Sequence, residues 1–169
     1  LSQWCEDIVA ALGLLRGELG VCTGLLGLRL GASMAAQVAA QQDEVACLAL
    51  LEPVVKGERY VRDNLRRSLI KAMLTRREGG EDFQPDRNRP AEGGLVDFDG
   101  YPIPPTLHDQ LKAIDLLAPG PRFAGPTLVL HLGSGGEVPE ELAALGRTFP
   151  AGEAVAVRQE PIWQRIGLM

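Results

Sequence analysis

Apolar and polar positions along this chain change period several times, and each change marks an expected element boundary. Trp4, Ile8, Leu12 and Leu15 recur at helical spacing, and Gly17 and Gly20 close that run. "VCTGLLG" then reads as a strand over Val21 to Leu26, followed by a glycine turn and a small-residue helix from about Leu30 to Gln41. Asp43 and Glu44 lead into "VACLALLEPV", a continuous apolar run of the kind shown by strands covered on both faces. Between Lys56 and Arg77 one stripe holds Val61, Leu65, Leu69 and Met73 and another holds Arg59, Arg62, Arg66 and Lys71, an amphipathic helix. From Arg76 to Pro105 the residues are largely Gly, Pro, Asp and Arg, which predicts a long loop with "LVDFDGY" as a short strand inside it. Helix resumes at "TLHDQLKAIDLL", strand at "PTLVLHLG", helix at "PEELAALGRTF" behind Pro139, and "EAVAVRQ" alternates as a last strand.

Helix and strand in alternation, interrupted once, predict an α/β fold: a mainly parallel sheet of about four strands with right-handed crossovers and helices on both faces. The interruption follows the second strand. It divides the chain into a first core part over residues 1–57, a cap-like insertion over 58–105 and a second core part over 106–169, within one domain overall. No internal repeat is present. Because Leu1 falls inside a helical pattern, an upstream part carrying further strands is expected.

At 169 residues and 46% apolar content the chain can bury one core of ordinary size. A net charge of −5, no long basic stripe and few aromatic residues argue against a nucleic-acid surface. No apolar run approaches the ~20 residues of a membrane span, and the first residues lack the order of a secretory signal. Cys5, Cys22 and Cys47 are odd in number and sit in apolar contexts, which favours packed, reduced thiols over a disulfide framework, a metal site or a catalytic thiol. Together these point to the cytoplasm. No metal and no cofactor are expected.

The chemistry concentrates in "LLGLRLGASMAAQVAA", which has the outline of a nucleophile elbow, G-x-S-x-G between strand and helix. Two registers compete. With Gly27-Leu28-Arg29-Leu30-Gly31 as the elbow, Arg29 crowns the turn; with Gly31-Ala32-Ser33-Met34-Ala35, Ser33 does. The second register needs a ten-residue strand with Arg29 in its interior, where an unpaired charge costs several kcal/mol. It also leaves a crossover helix of only about eight residues. Length therefore favours Arg29. A guanidinium stays protonated and has no lone pair to offer, so it cannot replace a serine nucleophile. It can present a five-donor fork to a carboxylate or phosphate, or pair with an acidic group of the protein. Ser33 then lies one turn up the helix and bonds back to backbone. His131, inside an apolar strand, reads as a neutral imidazole bonded to backbone, and His108 belongs to a helix.

"GLRLGA", "LLEPVVKGERYVRDNLRRSLIKAML", "DFDGYPIPPTL" and "EPIWQ", in that order, resemble the exosortase A system-associated hydrolase 2 proteins, a branch of the α/β-hydrolase superfamily. The resemblance runs over most of Trp4 to Gln164. It implies that this chain supplies the C-terminal half of the sheet, that the elbow strand is the superfamily's fifth, and that the segment over 58–105 is a cap. It also implies where a triad would stand. The nucleophile position holds Arg29, with Ser33 as the alternative nucleophile. The acid position falls in Gly133-Ser134-Gly135-Gly136-Glu137-Val138-Pro139, where Glu137 is the substitute acid. The histidine position falls at Glu160 to Gln164, with Trp163 closest to it and no histidine. Around the same positions the candidate binding residues are Arg29, Leu30, Ser134 and Gln164.

On this reading the triad is degenerate, and the role implied is binding or scaffolding of a small anionic or acyl ligand in a bacterium that makes exopolysaccharide. The alternatives are an active serine hydrolase or acyl transferase using Ser33 or residues of an upstream part, and an interaction subunit. For the last, eight of the seventeen basic residues fall between Lys56 and Arg77, so Arg62, Arg66 and Arg67 are the candidate contacts for an acidic protein partner.

Overall fold

A computed structural model of the chain describes residues 1–20, 23–78, 96–98 and 101–160. The elements run α1 (Ser2–Leu19), β1 (Thr23–Leu28), α2 (Leu30–Ala39), β2 (Val45–Leu51), α3 (Gly57–Glu78), β3 (Val96–Phe98), β4 (Tyr101–Ile103), α4 (Pro105–Lys112), β5 (Pro126–Gly133), α5 (Glu140–Thr148) and β6 (Ala151–Arg158). They form two units, one of Leu1–Val55 with the chain from Asp115, the other of Lys56–Ile114.

The first unit is an α/β layer structure on a four-stranded sheet ordered β1-β2-β5-β6, every pair parallel. Its register aligns Gly27, Leu50, Val129 and Ala154 in one row across the strands. A Cβ on Gly27 would strike the backbone of Ala32 in α2, and a Cβ on Gly146 of α5 would stand 3.0 Å from the Ala154 Cβ. Both helices therefore press on the same face, and α1 packs beside α2. That face holds the core: Leu48, Leu50, Val129 and Leu145 are fully buried, each stabilising the fold by about 2 kcal/mol. Small residues make the close approach feasible, since Ala32, Ala35, Ala36 and Ala39 are all buried along α2.

The expected helical layers resolve, within this unit, to that one face. On the other, Leu26, Ala49, Leu128 and Glu153 form the neighbouring row, and Leu26 is 71% exposed. Cys47 shares this side and is exposed, which corrects the reading of it as a packed thiol. An unbroken apolar run does not reveal which of its alternate positions a helix covers. On α1, likewise, Leu12 is buried while Trp4 and Leu15 stay open.

Strand β1 ends two residues later than its glycine content predicts. Leu28 still pairs with Leu51, and the Arg29 N–H donates to the Leu51 carbonyl at 2.9 Å, so the parallel ladder carries the strand past Gly27. Val21 and Cys22 lie outside the described residues.

In the second unit α3 packs on α4, with Val61, Leu111 and Ile114 buried. Pro105 opens α4, where a missing N–H costs nothing. Strands β3 and β4 pair antiparallel, Val96 with Ile103. Residues 79–95, most of the expected long loop, lie outside the described residues.

Two glycines of the elbow differ sharply in what surrounds them. Gly27→Ala is expected to destabilise by about 2 kcal/mol or more, because its Cβ would come within 2.5 Å of the Ala32 nitrogen. Gly31→Ala meets open space inside α2 and should be neutral or stabilising by up to about 1 kcal/mol. Urea unfolding of the two variants checks this contrast.

Candidate functional site

The turn between β1 and α2 is a single residue. Arg29 takes φ 55 and ψ −120, far from helix or strand, and it serves as N-cap of α2. Such a conformation costs a non-glycine residue about 1–3 kcal/mol. Its carbonyl is a hub: it accepts the N–H groups of Ala32 at 3.1 Å and Ser33 at 3.3 Å, and that of Val54 at 3.4 Å. The N–H groups of Leu30 and Gly31 precede the helical ladder. Helix N-termini of this kind favour negative charge.

Ser33 follows in the first turn of α2 and is fully buried. Its hydroxyl donates to the Val54 carbonyl at 2.8 Å and also approaches the Arg29 carbonyl at 3.4 Å. Val54 is thus clipped to the elbow by both of its backbone polar groups. In this arrangement Ser33 joins α2 to the segment after β2, and its oxygen faces protein.

The next strand end has its own strained residue. Glu52, one step past β2, has φ 45, and it and Arg29 are the two non-glycine residues with positive φ among the described residues. They are neighbours across the sheet, because Leu28 pairs with Leu51. The Glu52 N–H donates to the Leu130 carbonyl at 2.9 Å, which keeps it in register with His131 on β5. Here the side chain replaces the main chain. Leu132 N–H, which a regular parallel ladder would pair with the Glu52 carbonyl, donates instead to Glu52 Oε1 at 2.7 Å.

His131 completes the row. Its Nδ1 lies 2.6 Å from Glu52 Oε1, with the imidazole 22% and the carboxylate 13% exposed. Nδ1 is buried and its N–H direction misses the alignment of a full hydrogen bond, so the contact is an electrostatic one at short range. A backbone-bonded imidazole was expected; a carboxylate holds it instead, because the strained Glu52 backbone turns its side chain along the ladder. Gly133 supplies the space, since a Cβ there would stand 2.6 Å from His131 Nε2.

Cation, carboxylate and imidazole therefore stand at the carboxyl ends of three adjacent parallel strands, where α/β folds bind ligands. Of the residues expected from sequence, Arg29 and Leu30 form this elbow and Ser33 lies beneath it. Ser134 and Glu137 are exposed in the segment between β5 and α5, and Glu137 precedes the first residue of that helix by three positions. Trp163 and Gln164 lie outside the described residues. His108 has Nδ1 3.1 Å from Asp109 Oδ1 on α4 of the second unit. Arg62, Arg66 and Arg67 are exposed on α3, with Arg62 3.8 Å from Asp63. Glu52 was missed. Its signal was a lone carboxylate closing an apolar run just before Pro53.

Among the described residues no helix is long and apolar enough to cross a membrane, and no group of His, Cys, Asp and Glu is placed to hold a metal.

No protein-family model matches the chain, and no curated relative does either. Among solved structures it is similar to an esterase of Pyrococcus furiosus, PF2001, at a TM-score of 0.51 and 14% identity. The match covers 90% of this chain and 51% of the esterase chain, so this chain spans about half that length. At such identity the likeness establishes the fold: an α/β-hydrolase-like arrangement.

Two substitutions separate strain from packing. Arg29→Gly should raise unfolding stability by about 1 kcal/mol, relief of the turn outweighing the added freedom of the unfolded chain. Ser33→Ala should lower it by about 1–2 kcal/mol by leaving the Val54 carbonyl without its donor. Chemical denaturation midpoints report both.

Proposed function

We propose that this chain is an α/β-hydrolase-fold protein that binds a small anionic or acyl ligand at its strand ends and does not form an acyl-enzyme. One observation carries this reading: the strained residue at the elbow, where hydrolases of this fold present a nucleophile, is Arg29, while the nearest hydroxyl, Ser33, is buried and committed to Val54. A guanidinium cannot attack an ester, but it can pair with a carboxylate or phosphate beside the partial positive charge of a helix N-terminus. The ordered motifs resembling the exosortase A system-associated hydrolase 2 proteins connect that role to exopolysaccharide-producing bacteria and to the cytoplasm.

A second reading assigns the chain a docking role, supported by the exposure of Arg62, Arg66 and Arg67 on one helix. Asp63 beside Arg62, and also 3.7 Å from Arg59, offsets part of that charge, which favours the ligand reading.

The test combines a covalent probe with binding. A fluorophosphonate is expected to leave Ser33 unlabelled in the folded protein. Butyrate or inorganic phosphate is expected to raise the melting temperature, and Arg29→Gln to abolish that rise. Labelling of Ser33 would overturn the reading, as would a rise that persists in the Arg29 variant.

A further inference from the structure

We draw no further inference here: the strongest candidate, the apolar surface on α1 and the edge strand β1 where Leu14, Leu19 and Leu26 stand exposed, carries nothing, because nothing in the structure shows what covers it.

Discussion

The close approach of Gly27 to Ala32 governs the site. With backbone against backbone at that point, β1 has no room for a gradual turn into α2, and the reversal is completed within the one residue that follows Leu28. Strain at Arg29 is the consequence. The carbonyl of that residue then faces three N–H groups, two from α2 and one from Val54, and these bonds repay the backbone for its unfavourable angles. Ser33 closes the same knot from below. A side chain at position 27 would push the helix outward and dissolve all of these contacts together.

How far the chain could be read in advance depended on how local each signal was. The placement of Arg29 at the turn follows from lengths, because a strand through position 30 would have buried a guanidinium and starved the crossover helix. Parallel strands could be recognised as apolar runs, but not their faces: Cys47 and Leu26 look like core residues in the sequence and stand on the open side of the sheet. Alternation is the signal for sidedness, and "VACLALL" does not alternate. Glu52 was illegible for a different reason. Its partners, His131 and the Leu132 N–H, are about eighty residues away and meet it only through the β2–β5 register. A lone carboxylate at the end of an apolar run shows that something must neutralise it, without showing what.

The two faces of the sheet carry different burdens. Helices α2 and α5 bury Leu48, Leu50, Val129 and Leu145 on one side, and this packing holds the register that aligns the strand ends. On the other side Leu26 and Val157 remain 71% and 41% exposed. Apolar surface of that kind on and beside an edge strand is an association liability unless something covers it. Among the described residues of this unit, the packing that steadies the carboxyl ends is the helical layer on that one face.

Strain and rigidity meet at those ends. Two residues with positive φ stand on neighbouring strands, and the ladder holds both in register: Arg29 and Glu52 each donate their N–H to the adjacent strand at 2.9 Å, one step beyond the last regular pair. Every slip would break both bonds and move the buried leucines of the helical face toward solvent. The cost of the two turns is thus set against the burial of the whole face. That comparison explains why the strained residues can differ in chemistry from one another while their backbones stay fixed. The ladder and the buried helical face thus hold an arginine, a glutamate and a histidine in one row, and Glu52 adds to that hold by giving Leu132 N–H its acceptor.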